Sequence, residues 1–187
     1  MRTLLDRLEE VADSGDRGKS CEDSAVVAVV LDAREAPPSV LLVKRRVDER
    51  DPWSGQVALP GGRSRPEDGA LVNTVKRELW EEVGLKIGED VELVGSMTTL
   101  TPSNAPSLVV QPFICLVRRD VDIILGPELS KYFWASLRDF RRRIGSVFSA
   151  GRRGVMTVPV YVVGSEVVWG MTANIFRRLF EYLEPIP

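Results

Sequence analysis

Apolar residues recur along this chain with two different periods, and the periods divide it into elements. Leu4, Leu5, Leu8, Val11 and Ala12 are spaced as one helix face, predicting a short amphipathic helix over 3–12, followed by a polar loop from Asp13 to Asp23. Ala25–Leu31 and Ser39–Lys44 are β-branched, apolar runs that predict strands, with Pro37 and Pro38 in the turn between them. Arg45–Arg65 is a long, charged connection punctuated by Pro and Gly, the kind of segment that carries function when it has no secondary structure of its own. Leu71, Val72, Val75, Leu79 and Val83 return to helical spacing, predicting a helix over 69–83 capped by Gly84.

Beyond that helix the pattern alternates again. Glu92–Thr98 and Ser107–Val117 predict strands joined by the Pro-bearing loop Thr101–Pro106. Leu137–Ile144 predicts a short helix, and Val158–Val163 with Val167–Trp169 a hairpin around Gly164. Ile175, Leu179, Phe180 and Leu183 place a closing helix over 172–183. Strands and helices alternate irregularly and without repeats, which predicts an α/β or α+β sandwich and not a doubly wound sheet.

Composition narrows the function. The 187 residues are 44% hydrophobic and show no shift that marks a second domain, so residues 1–187 are expected to fold as one domain, with 1–24 as an N-terminal helix and loop. A net charge of −2 gives no basic field, so neither nucleic acid nor an acidic membrane surface is an expected partner. The longest apolar run, Ala25–Leu31, is far short of a span, and Asp6, Glu9 and Glu10 interrupt any signal-like segment; a cytoplasmic location is the expectation. Histidine is absent, which excludes His-dependent nucleophile systems and His-ligated zinc. Cys21 and Cys115 are far apart and form no CxxC; Cys115 sits in an apolar stretch that suggests packing.

Chemistry concentrates at Leu59-Pro60-Gly61-Gly62, Asp68 and Arg77-Glu78-Leu79-Trp80-Glu81-Glu82-Val83-Gly84-Leu85. Glu78, Glu81 and Glu82 share one side of the helix, opposed to its apolar stripe. Like charges at these spacings repel, and the C-terminal end of a helix disfavours anions, so the cluster calls for a cation. Arg77 can pair with Glu81 one turn on, and a hard divalent ion suits the remaining oxygens. Gly61-Gly62 supplies a turn where backbone can approach a metal or phosphate closely. An isolated ExxEE reads most simply as a solvated face; the glycine pair, the arginine and the closing Gly-Leu at set offsets reverse that reading.

The run Arg77–Leu85 resembles the REUxEExGU half of the Nudix box, which here spans 62–85. Asp68 stands six after Gly62, where Glu is usual, and nine residues instead of eight precede Glu78. That spacing resembles the coenzyme A diphosphatase branch. So do Leu41-Leu42, Arg45, Arg50, Gly55 and Pro60-Gly61-Gly62, with Val43, Arg46 and Leu59 departing from that branch's upstream motif and one extra residue before Gly55. Phe133–Leu137 and Val168–Thr172 are similar to its downstream segments. The resemblance covers residues 25–183.

It implies an α/β/α sandwich with a mixed β-sheet and a loop–helix–loop catalytic motif. Mg²⁺ or Mn²⁺ would be the cofactor, held by Glu78 and Glu82 with help from Glu81. Arg77 would orient the carboxylates, supported by Asp68. Arg45, Arg50, Gly61 and Gly62 would meet the substrate. Glu82 or Glu81 is the first candidate for the general base, and Glu128 an outside one. The implied partner is a small nucleotide-containing molecule, and a homodimer is compatible with the pattern. The implied reaction is hydrolysis of a pyrophosphate, with coenzyme A cut to 3′,5′-ADP and a 4′-phosphopantetheine product. ADP-ribose, a dinucleotide or a nucleoside triphosphate are the alternative substrates, and a non-catalytic nucleotide-binding module is the alternative of another class.

Three further signals carry less. Gly15–Ser20 looks like a phosphate loop but has Asp13 where the first glycine belongs and follows a helix instead of a strand. Arg138, Arg141, Arg142, Arg143, Arg152 and Arg153 form a basic stretch that reads first as solvated surface and second as a phosphate clamp. Trp53, Trp80 and Trp134 can each stack on a base, although packing accounts for at least two of them.

Overall fold

In the computed structural model the residues described are 23–34, 36–49, 51, 53–103, 105–149 and 154–183. The helix expected over 3–12, Cys21, Arg50, Arg152 and Arg153 lie outside them. β1 (Ser24–Asp32) is the central strand, buried on both faces. Val26, Ala28 and Val30 join one apolar cluster, while Val29 and Leu31 join another on the opposite side. This is the period-two alternation of a strand, with both faces apolar because a helix covers each.

Helix α1 (Leu71–Val83) closes the first cluster with Val75, Leu79 and Val83, all fully buried. Each such side chain contributes about 1.5–3 kcal/mol by leaving water. Helix α2 (Gly170–Leu183) closes the second with Ile175, Phe176, Leu179 and Leu183. The result is the helix–sheet–helix layering expected from the sequence. A 3₁₀ turn, Pro66–Asp68, leads into α1, and Gly84 ends it at φ 72°, with the Leu85 N–H reaching back to the Leu79 carbonyl at 3.3 Å. That is the left-handed C-terminal cap anticipated from the sequence.

The sheet is mixed. β1 runs parallel to β6 (Val109–Val117) over its whole length, and β6 pairs antiparallel with β5 (Val91–Ser96). On its other edge β1 meets β2 (Ser39–Arg45) only at Leu31–Val40 and Asp32–Ser39. The start of β1 pairs instead with β4 (Gly61–Arg63), while the end of β2 pairs with β3 (Val57–Ala58). β1 and β2 therefore splay apart, and the chain that follows β2 is laid into the gap. β7 (Leu129–Ser136) extends the sheet beyond β2. A separate antiparallel sheet of β8 (Arg141–Ser149), β9 (Gly154–Val163) and β10 (Glu166–Val168) is tied to the main one where Glu166 meets Lys44 at 2.9 Å and Lys131 at 2.5 Å.

Three expectations are corrected. The connection 45–65 is not devoid of secondary structure, since it contains β3 and β4, and Gly61-Gly62 is strand and not turn. These strands are too short to show a period. The helix expected over 137–144 is a single 3₁₀ turn, Leu137–Asp139, followed by β8. Leu137 and Phe140 are buried, but Ile144 is 70% exposed, so the helical spacing holds for one turn only. Its successor pairs residue by residue with β9, and that long-range pairing overrides the local pattern.

Candidate active site

The spacing of Glu78, Glu81 and Glu82 puts them beside the buried stripe of α1, but they are not equivalent. β4 crosses the flank of the helix, and Glu78 and Glu82 are each only 9% exposed beneath it, whereas Glu81 faces solvent. The expectation that all three point away from the core is thus corrected for two of them. Gly62 is what admits Glu78: a Cβ there would stand 2.6 Å from the Glu78 carboxyl carbon. Gly61, at φ 151°, has its missing Cβ 2.2 Å from the Val26 carbonyl oxygen. Gly61 is required by this close approach of backbone, and Gly62 leaves room for the Glu78 carboxylate.

Arg77 is the hub of the acidic cluster. Its Nε and Nη2 donate to the two oxygens of Asp68, each at 2.9 Å. Asp68 also accepts from the Arg65 backbone N–H and the Thr74 hydroxyl. With Arg77 as the main cause, its carboxyl is held well below the usual range. The remaining Arg77 nitrogen, Nη1, donates to Glu78 Oε1 at 2.5 Å and to Glu81 Oε2 at 3.1 Å. Arg65 also grips both Glu81 oxygens at 3.2 Å.

Glu82 stands outside that network. Its Oε2 accepts from the Gly61 N–H at 2.9 Å, and its Oε1 lies 3.9 Å from Arg45. Burial pushes its carboxyl up to about 7, against the Gly61 hydrogen bond and with the nearby Glu78 charge adding to the rise. Burial likewise raises Glu78, with Arg77 opposing. Arg45 is shared: Asp51 holds its Nε at 2.7 Å and Glu128 its Nη2 at 3.2 Å.

These groups form the polar end of a cavity of about 1000 Å³ lined by the start of β1 together with β3, β4, β9 and α2. Arg45, Gly61, Gly62, Glu78, Glu81, Glu82 and Glu128 all line it, so the structure gathers these sequence candidates at one place. Arg77 and Asp68 stand behind its wall. An apolar part of its wall comes from Ala25, Val27 and Val110 of the sheet and Leu108 just before β6. Of the tryptophans considered, Trp53 lines the cavity; Trp80 lies outside it under Lys86, at 5.2 Å, and Trp134 packs against the cluster beneath α1. Tyr161 and Trp169 also line it; Tyr161, an isolated aromatic in a strand, carries no sequence signal of its own, and Trp169 stood out only within the Val168–Thr172 similarity.

Among the described residues no three acidic side chains converge closely enough to enclose an ion by themselves. Two observations nonetheless fit a hard divalent cation. The donors are all oxygen, and Glu78 and Glu82 are desolvated carboxylates, with the Glu78 charge adding to the penalty on Glu82. Mg²⁺ needs only one or two carboxylates, taking its other ligands from water and substrate phosphate.

Comparison with known proteins agrees with this architecture. The NUDIX domain model matches residues 22–150. Over 179 residues the chain is 29% identical to the uncharacterized Nudix hydrolase NudL of Yersinia enterocolitica, covering 87% of this chain and 83% of that one. NudL of Photorhabdus laumondii is 29% identical over 160 residues, 84% of each chain. Two solved structures share the fold: the Nudix hydrolase RenU of M. smegmatis, at TM-score 0.60 and 14% identity over 92% of this chain and 98% of that one, and the C. elegans Ap4A hydrolase, at 0.52 and 18% over 62% and 81%.

Fold and site together define a pyrophosphohydrolase of the α/β sandwich class. The chain belongs to the Nudix family, whose hydrolases generally use divalent metals such as Mg²⁺ or Mn²⁺ and act on nucleotide-linked compounds. Among the described residues, no helix is long and apolar enough to cross a membrane.

Proposed function

We propose that this protein hydrolyses the pyrophosphate of coenzyme A or a derivative, releasing 3′,5′-ADP and a 4′-phosphopantetheine product. The observation that carries the reading is the pair of buried carboxylates, Glu78 and Glu82, at the polar end of a cavity with an apolar wall of Ala25, Val27, Leu108 and Val110. The Asp68 spacing, which resembles that of coenzyme A diphosphatases, supports the choice of substrate. The apolar wall suits an extended, weakly polar chain better than a second sugar or nucleotide.

Glu78 and Glu82 would hold Mg²⁺ or Mn²⁺, with Glu81 contributing from the rim. The ion, when bound, supplies Lewis-acid neutralisation of pyrophosphate charge and acidifies water. Asp68 fixes Arg77, and Arg77 fixes Glu78 and Glu81, so the carboxylate array is set before substrate arrives. Arg45, which lines the cavity and is shared between Asp51 and Glu128, would meet a phosphate oxygen. A water attacks phosphorus, the bridging P–O bond breaks, and the water's proton passes to Glu82 Oε1, the oxygen with no backbone bond. Glu81 is the poorer base because both its oxygens are engaged by arginines. Glu128 is 69% exposed and turned to Arg45.

Purified protein with Mg²⁺ should be offered coenzyme A, ADP-ribose, a dinucleoside polyphosphate and a nucleoside triphosphate. Release of 3′,5′-ADP as the fastest reaction is the expected result. Faster cleavage of ADP-ribose would overturn the substrate, and tight binding without turnover of any compound would overturn the enzyme.

A further inference from the structure

The cavity has a second basic corner that the cleavage chemistry leaves unused. Arg142 from β8 and Arg177 from α2 both line it, together with Tyr161 from β9. Arg142 stands directly opposite Tyr161 in the β8–β9 register, and Arg142 and Arg177 both act on Tyr161, whereas the leading basic neighbours of Glu78 and Glu82 are Arg77, Arg65 and Arg45. The two corners are therefore built from different arginines within one cavity.

Arg142 has no carboxylate partner among the described residues, a contrast with Arg45, Arg65 and Arg77, each of which is paired. Arg177 is held by Glu181 at 2.6 Å, an exposed pair one helical turn apart that a stronger anion can displace. Tyr161 is fixed between aromatic neighbours, with its ring 6.0 Å from Phe140 and 5.5 Å from Phe180. Thr172 and Asn174, on the same helix as Arg177, also line the cavity and add neutral donors.

We infer that Arg142 and Arg177, grouped around Tyr161, form a second anion subsite that takes a phosphate monoester on the substrate's ribose. Resting on the pyrophosphohydrolase reading above, it adds a specificity determinant to that site. The chemistry selects phosphate: a monoester with a second pKa near 6 carries close to two negative charges at pH 7, matching two guanidinium groups. Arginine's planar fork binds such an oxygen pair in a bidentate way. A ribose bearing only hydroxyls leaves Arg142 unpaired.

The test compares 3′,5′-ADP, 2′,5′-ADP and 5′-AMP by calorimetric titration, which needs no turnover. At least one bisphosphate should bind wild-type protein about tenfold or more tightly than AMP, and the isomer that gains identifies the ribose oxygen. Arg142→Gln should reduce that advantage to within about threefold while AMP affinity stays unchanged; Arg177→Gln should do so in part. Arg143→Gln, on the neighbouring position of β8 and outside the cavity, should change nothing. Equal affinity for all three nucleotides, binding of none, or an equal loss in the Arg142 and Arg143 variants would overturn the subsite. Failure to cleave coenzyme A while the bisphosphate preference persists would instead overturn the substrate reading and leave the subsite standing.

Discussion

Replacing Gly62 and Gly61 by alanine, one at a time, should separate the chemistry of this site from its fold. At Gly62 the new methyl would stand 2.6 Å from the Glu78 carboxyl carbon and 2.6–2.7 Å from its oxygens. Those atoms end a flexible side chain, so the carboxylate can retreat, by about 0.8 Å to reach ordinary contact, without moving backbone. The cost in stability should stay near 1 kcal/mol. A shift of that size in a positioned group lowers rate by roughly 10²-fold. At Gly61 the obstacle is backbone: the methyl would lie 2.2 Å from the Val26 carbonyl oxygen and 2.7 Å from the Val27 Cα, at a φ of 151° that side chains rarely adopt. Relief means separating β4 from β1, which also breaks the Gly61 N–H bond to Glu82. That should cost about 3 kcal/mol or more. Thermal melts paired with kcat and the Mg²⁺ dependence of turnover read both effects. Gly62→Ala with wild-type turnover, or the two variants melting alike, would refute the argument that Glu78 is the side chain for which Gly62 makes room.

Two other predictions follow from charge. Glu82→Gln should lower kcat by about 10²–10⁴-fold, yet stabilise the metal-free protein by about 2 kcal/mol at pH 8, because a neutral amide keeps an acceptor for Gly61 and avoids burying an anion. Since the folded carboxyl titrates near 7, above its unfolded value, wild type loses stability as pH rises from about 4.5 to 7; the variant's advantage should shrink as pH is lowered through that window, and denaturant unfolding showing a destabilised variant at pH 8 would count against it. Glu166→Gln should cost about 1 kcal/mol at pH 7 by loosening β10 from Lys131 and Lys44. Those lysines depress the Glu166 carboxyl, so its contribution is present above the unfolded pKa and lost as pH falls through the folded one; melts of the two proteins should converge in acid, and a difference that persists there would exclude the ion pairs as its source.

The parts of this molecule that could be read from its sequence are those whose pattern is local. α1, α2 and the buried strands β1, β2 and β6 each carry enough apolar residues at one period to declare themselves. The acidic cluster and Gly61-Gly62 were visible as residue types at fixed offsets. β3 and β4 were not, because two or three residues define no period and their stability comes from partners distant in sequence. β7 exposes Lys131 and Tyr132, so it lacks an apolar stripe, and the arginine run of β8 reads as surface charge until its register with β9 is known. Arg142 shows the consequence for function: one residue of a basic stretch lines the cavity while Arg143 beside it does not, a distinction that strand alternation makes and composition cannot.

The same pairing pattern explains why the site lies where it does. Had β1 and β2 stayed paired along their length, the sheet would present a closed surface to α1, with no route from solvent to Glu78 and Glu82. Their contact ends after Leu31 and Val40, and the returning chain is divided between them, β3 on β2 and β4 on β1. That division opens the cavity and at once lays two glycines across the carboxylates at its polar end. The glycine pair is needed because β4 must press on both the Val26 backbone and the Glu78 side chain within consecutive residues. Position, burial and the raised carboxyl of Glu82 thus follow from one topological choice, and the acidity of the cluster is a property of the sheet as much as of the helix that carries it.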